Sequence, residues 1–195
     1  MISLVACTSP KPSPQESLVS IISGRAQVSD NAKTFHLSKR LYSKLIELQP
    51  KELSHHYGYI RSVNNIKDLN ALKNYFKDSD DYMLWAEDKY VSFLVMSLLY
   101  HNLNEQASAV LTKGISYNLK ESTVLRLRGA ININKGQYEN AEKVYLECLS
   151  LPSDTQACAV DYWKLLNNTK QTLKLIDLER NYNLSDVPKG TDILN

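Results

Sequence analysis

Apolar side chains recur along this chain in short bursts at helical spacing. Val91, Leu94 and Leu98 are followed by Ala107 and Leu111, Leu125 and Gly129 by Ala141 and Tyr145, and Val160, Trp163 and Leu166 by Leu173, Ile176 and Leu178. Polar breaks separate the bursts: Gly58, Asn64-Asn65, Asp78-Ser79-Asp80-Asp81, His101-Asn102, Asn118 and Lys135-Gly136. The pieces between breaks run to about 12 to 17 residues, the ordinary length of globular helices. No proline occurs between Pro50 and Pro152, so nothing in that stretch forbids helix. The pattern predicts paired short helices.

The pairs repeat. At an offset of 34, Ala107 stands over Ala141, Leu111 over Tyr145, Gly114 over Cys148, Val91 over Leu125 and Val95 over Gly129. Composition agrees with a helical array. Six Gly and six Pro in 195 residues are too few for a turn-rich β fold or for phosphate-cradling loops. With 23 basic and 21 acidic residues the formal charge is +2 and no long block of one sign exists, so bulk charge does not point to nucleic acid.

The segment 124–154 is the clearest unit. Its Leu125, Gly129, Gly136, Tyr138, Ala141, Tyr145 and the ending Leu149-Ser150-Leu151-Pro152 resemble the tetratricopeptide repeat. The residue types have a physical reason. Gly129 and Ala141 let two helices approach closely, Gly136 supplies the turn, and Tyr145 fills the space toward the next repeat. The unit before it keeps the packing positions and replaces the turn glycine with Asn102, which tolerates the left-handed conformation. Leu41 to Pro50 is similar to the second-helix ending of the same repeat. The resemblance implies an all-α, right-handed superhelix of about four helix-turn-helix repeats (19–52, 53–86, 88–121 and 122–155, within 18–154). A capping helix pair over 155–184 and a flexible tail over 185–195 complete the chain.

The start reads differently. Leu4-Val5-Ala6-Cys7 resembles the lipobox of bacterial lipoproteins, and the Pro-rich stretch from Thr8 to Ser17 suits an extended tether, so 1–17 is expected to be a residual signal and tether with Cys7 acylated. That places the protein on the periplasmic face of a bacterial outer membrane; the alternative is a cytoplasmic protein. Cys148 and Cys158 could pair in an exported domain, but Cys148 takes a small buried position of the repeat, which favours a buried thiol.

Chemistry is scarce. His55 and His56 are adjacent and point to different sides of a helix, no paired metal-ligand motif or nucleophile elbow occurs, and the 78–81 acidic run lacks the glycine and glutamate of a calcium loop. No catalytic residue, metal or cofactor is expected, and the protein reads as a non-enzymatic scaffold. In the repeat family the first helix of each unit faces a groove that holds a partner peptide. Carried over, those positions are Tyr57, Arg61, Asn64 and Asn65, then Lys89, Ser92, Met96 and Tyr100, then Arg126 and Asn134. Asparagine amides suit a peptide backbone, and Arg61, Lys89 and Arg126 favour an acidic or carboxylate-ended partner. Lipobox, tether and short array together are similar in layout to outer-membrane lipoproteins that assist assembly of pili or secretion channels, which implies a secretin or pilus subunit as partner. A soluble cytosolic adaptor or co-chaperone is the competing expectation.

Overall fold

The computed structural model describes residues 13–75 and 82–184, and among them every regular element is a helix. In chain order these are α1 (Pro14–Asn31), α2 (Phe35–Leu48), α3 (Leu53–Asn65), α4 (Leu69–Tyr75), α5 (Tyr82–Trp85) and α6 (Asp88–Tyr100). They continue as α7 (Asn104–Ser116), α8 (Glu121–Asn134), α9 (Tyr138–Leu149), α10 (Thr155–Asn168) and α11 (Thr172–Tyr182). Cys7, the acidic run 78–81 and the tail 185–195 lie outside the described residues. The chain divides into two compact units, 1–67 and 68–195, and the division falls inside the repeat expected over 53–86.

The turns carry the periodicity most clearly. Lys33, Lys67, Asn102, Gly136 and Lys170 all have positive φ, between 54° and 73°, and they follow one another at intervals of 34 or 35 residues. Each sits just past the end of a helix, where a left-handed residue lets the chain reverse. In four of these turns the next N–H closes back on the carbonyl five residues earlier: Thr34 on Ser29 at 2.9 Å, Leu103 on Leu98 at 2.9 Å, Gln137 on Asn132 at 2.8 Å and Gln171 on Leu166 at 2.9 Å. Asn102 therefore does what a glycine does at 136, as its side-chain chemistry leads one to expect. The three lysines carry no sequence signal for this backbone; the turn imposes it on them.

In the first unit, α1 packs on α2 and α2 on α3. Ala26, Tyr42 and Leu45 form the buried centre, with Val19, Ile22, Leu41 and Tyr59 around it. Helix α1 begins inside the segment expected to be a tether. The reason is local: Ser13 and Glu16 make a reciprocal capping box, with Ser13 N–H donating to Glu16 Oε2 at 2.6 Å and Glu16 N–H to Ser13 Oγ at 3.2 Å. Pro14 then occupies the first helical position, where its missing N–H has no intrahelical bond to lose. Proline there starts a helix instead of preventing one.

His55 and His56, at the start of α3, are both buried. The His56 Nε2 lies 2.7 Å from the Pro50 carbonyl oxygen, whereas His55 Nδ1 is buried without a hydrogen bond. Burial lowers the His55 pKa below the ordinary 6.5, against a smaller upward pull from Glu52. Below that ordinary value the unfolded chain takes up a proton that the folded unit resists, so stability falls as the pH drops through 6.5 toward the folded pKa. Urea midpoints of the first unit, followed by far-UV circular dichroism, are expected to decline across that window, and His55→Gln to flatten the decline. A parallel decline in both proteins would refute the assignment.

In the second unit, α6–α7, α8–α9 and α10–α11 are successive hairpins. Helices α7, α9 and α11 begin at 104, 138 and 172, a spacing of 34 throughout. The last hairpin, read from the sequence as a cap, keeps the spacing of the two before it, and Leu173 and Ile176 on its second helix remain exposed. Ala141, Tyr145, Ala159, Tyr162, Trp163 and Leu166 form the core between α9 and α10. The Tyr145 ring fills the position opposite Gly129, where an added Cβ would lie 2.5 Å from its Cζ. It meets Tyr162 with ring centroids 6.3 Å apart. The same pairing of aromatic and glycine occurs in the first unit, where a Cβ on Gly58 would lie 2.6 Å from Tyr42 Cδ1.

One sequence expectation is corrected here. Cys148 on α9 and Cys158 on α10 form a disulfide, not two buried thiols. Both positions are fully buried. The small site that the repeat requires at 148 faces the next hairpin, where position 158 arrives, with the two Cα atoms 5.8 Å apart.

Candidate functional site

Helices α6, α8 and α10, the first helices of three successive hairpins, lie side by side in the second unit and leave a cleft of about 490 Å³ between them. Its lower wall is apolar, from Phe93, Met96, Leu127, Ala130 and Tyr145, and its rim carries Asp88, Lys89, Arg126, Asp161 and Lys164. Tyr145 belongs to α9 and reaches the cleft floor from behind. Its hydroxyl is buried without a hydrogen bond, and burial, aided by the charge of Asp161, pushes its pKa far above the ordinary tyrosine range. It stays neutral at any physiological pH.

The charges on the rim do not cancel symmetrically. Arg126 Nε donates to Asp161 Oδ2 at 2.7 Å, tying α8 to α10. Asp88 Oδ1 accepts from the Lys120 backbone N–H at 3.1 Å, and its other oxygen lies 3.8 Å from Lys120 Nζ. Both carboxylates are thus engaged within the protein, and Lys89 and Lys164 are left as the rim cations without an ion pair among the described residues. The Arg126–Asp161 pair is partly buried at the cleft rim and worth about 1 kcal/mol, so its role is to fix the guanidinium in place more than to hold the helices together.

Four of the groove positions carried over from the repeat family, Lys89, Ser92, Met96 and Arg126, converge on this cleft. Two others on the same helices do not line it. Tyr100 is exposed at the end of α6 with its ring edge-on to His101, and Asn134 donates its amide to Asn104 Oδ1 at 2.8 Å, joining the end of α8 to the start of α7. Asp161 and Lys164 were missed, because the α10–α11 pair was read as a cap. A signal for Lys164 was present. Met96, Ala130 and Lys164 stand 34 residues apart and all three line the cleft.

The remaining positions lie on α3 in the first unit. Arg61 forms an ion pair with Asp30 of α1, whose Oδ2 also accepts from the Tyr42 hydroxyl at 3.0 Å. Asn65 donates to the Arg61 carbonyl at 2.8 Å, and Arg61 and Asn65 border a separate hollow of about 470 Å³ with Gln27, Lys33 and Tyr42. Tyr57 is half-buried, and Asn64 Oδ1 is buried without a hydrogen bond. Arg61, expected as a free cation for an acidic partner, is instead neutralised within its own unit. The Cys7 position lies outside the described residues, and among those described no helix is long and apolar enough to cross a membrane.

Comparison with known families finds a tetratricopeptide-repeat model matching residues 127–155. The chain carries a tetratricopeptide repeat. The match covers the second half of one hairpin helix, α8, then the whole of α9 and the connection to α10, which are the elements that supply Leu127, Ala130 and Tyr145 to the cleft. No curated protein and no solved structure matches the chain. A tetratricopeptide repeat among described residues whose regular elements are all helices is typical of protein-interaction scaffolds.

Proposed function

We propose that the protein is a non-enzymatic scaffold that holds an acidic segment of a partner protein in the cleft between α6, α8 and α10. The observation that carries this reading is the combination of an apolar floor with Lys89 and Lys164 on the rim, while both rim carboxylates are already engaged. An extended segment laid across three first helices would bury aliphatic side chains against Met96 and Leu127 and bring carboxylates to the two lysines.

The proposal extends to place and process. Acylation of Cys7 would anchor the scaffold to the periplasmic face of the outer membrane, where it would assist assembly of a pilus or secretion channel. The anchor is supported by Leu4-Val5-Ala6-Cys7, and export by the Cys148–Cys158 disulfide, since such bonds persist in oxidising compartments. The assembly role rests on similarity of layout to lipoproteins of that kind.

A photo-crosslinking amino acid in place of Met96, in the full chain expressed in its own host, tests the cleft. Discrete crosslinked partners are expected, and Lys89→Glu with Lys164→Glu is expected to reduce them at least tenfold, corresponding to about 1.4 kcal/mol or more. Undiminished crosslinking in the charge-reversed protein would overturn the reading. Mass analysis of the native N-terminus tests the anchor separately: an unmodified Cys7 preceded by Met1 leaves a soluble adaptor.

A further inference from the structure

We propose that the second unit has another docking surface, on the side of α8 opposite the cleft, and that it takes an acidic peptide segment with aliphatic side chains between two carboxylates. The helical repeat separates the two faces. Arg126 and Ala130 line the cleft, whereas Arg128 and Asn132, two residues further on in each case and so about 200° around the helix, line a trough between α7 and α9. The trough has a volume of about 310 Å³ and an apolar bed of Leu111, Ile115, Ile131 and Val144. Ile115 is 38% exposed there, although it is a large aliphatic side chain.

Charge identifies the occupant. Arg128 and Lys135 border the trough, both are exposed, and neither has an ion pair among the described residues. None of the residues lining it is acidic. The hydroxyls contributed by α7 are already satisfied, Ser108 donating to the Asn104 carbonyl and Thr112 to the Ser108 carbonyl, each at 2.9 Å. The groups left to meet a ligand are therefore two cations, the Asn132 amide and the apolar bed. This set suits carboxylates, a peptide backbone and aliphatic side chains respectively.

Spacing narrows the partner further. Arg128, Asn132 and Lys135 follow one stripe of α8, and seven residues at 1.5 Å each put the two cations about 10 Å apart along the axis. A peptide in the polyproline II conformation advances about 3.1 Å per residue and brings every third side chain back to the same side, so carboxylates three positions apart match that separation and both face the two cations. The residues between them fall over Ile115 and Val144. The expected motif is an acidic residue, two residues of which at least one is aliphatic, and a second acidic residue. With the cleft on its other face, α8 would then bridge two partners at once.

The test uses the ¹⁵N-labelled full chain titrated with the end-capped peptide Gly-Ser-Glu-Leu-Ile-Glu-Ser-Gly. Shifts are expected in the backbone amides of 108–115, 128–135 and 144, with saturation below about 1 mM. Replacing both glutamates of the peptide by glutamine is expected to weaken binding at least tenfold, as is Arg128→Glu with Lys135→Glu in the protein, whose spectrum also reports whether it is folded. Lys89→Glu with Lys164→Glu is expected to leave the affinity read from the amides of 108–115 and 128–135 within twofold, whatever binding the cleft itself contributes. Absence of shifts in this concentration range, equal affinity of the trough amides for the glutamine peptide, or shifts confined to 89–96 and 161–164 would each overturn the proposal.

Discussion

Gly129→Ala is expected to lower the unfolding free energy of the second unit by about 1–3 kcal/mol, the usual cost of overfilling a packed core. The sign is opposite to what helix propensity alone dictates, since alanine in a helix interior is ordinarily better than glycine by about 0.5–1 kcal/mol. Here the new Cβ would overlap three atoms of the Tyr145 side chain, Cε1, Cζ and the hydroxyl oxygen, all of them closer than 3 Å. That ring is fully buried and packs against Tyr162, so relieving the overlap requires it to shift from its place in the core. Both tryptophans, Trp85 and Trp163, belong to the second unit, and their fluorescence in urea reports its unfolding selectively. Gly24 supplies the contrast. It is exposed on α1 with nothing within 4 Å of an added Cβ, so Gly24→Ala is expected to stabilise the first unit by about 0.5–1 kcal/mol. Gly129→Ala combined with Tyr145→Leu should recover part of the loss. A Gly129→Ala midpoint at or above that of the parent would show that the ring yields and that the close approach of α8 to α9 is not set by this glycine.

Loss of the Cys148–Cys158 bond is the second large effect, about 2–3 kcal/mol from the second unit. The two cysteines are separated by 10 positions, and closing a loop of that length removes roughly this much from the unfolded chain's conformational freedom. The bond also crosses from the second helix of one hairpin to the first helix of the next, so it staples α10 and α11 to the helices before them. Tryptophan-detected urea unfolding with and without reductant measures the difference, and Cys148→Ala with Cys158→Ala should match the reduced protein. Alkylation of the denatured, unreduced chain should leave both cysteines unlabelled. Equal midpoints with and without reductant, or labelling at both positions, would remove the bond as a stabilising element and with it the structural support for export.

How far the sequence reaches depends on what kind of information each feature needs. The αα-hairpins were legible because a helix that buries one side must show that side every three to four residues, and a repeat must show it again at the same offset. Ala107 over Ala141 and the turn at Asn102 are direct consequences of that requirement. Lys33, Lys67 and Lys170 were not legible as left-handed residues, because lysine has no preference for that conformation and adopts it only when the flanking helices demand the reversal. The N-terminal helix was hidden by composition. Prolines at 10, 12 and 14 read as a tether, although the Ser13–Glu16 capping box was present in the same ten residues.

For the candidate site, the resemblance to the tetratricopeptide repeat implied Lys89, Ser92, Met96 and Arg126 as groove positions of the first helices, and the cleft brings them together. Periodicity says which side a residue faces but not what stands across from it. Only the folded chain shows that Arg61 meets Asp30, that Asn134 meets Asn104, and that Arg126 meets Asp161, three contacts between residues 30 to 35 positions apart. Those contacts decide which charges remain for a partner. They leave Lys89 and Lys164 facing the cleft and Arg128 and Lys135 facing the trough. The amino-acid sequence by itself determined the hairpins, their 34-residue pitch and the small and aromatic residues at their contacts, because these follow from local backbone preference and burial on one helix. The disulfide partner, the engaged carboxylates and the two separate faces of α8 were decided by tertiary structure, because each depends on the distance between side chains of different helices, which no single helix encodes.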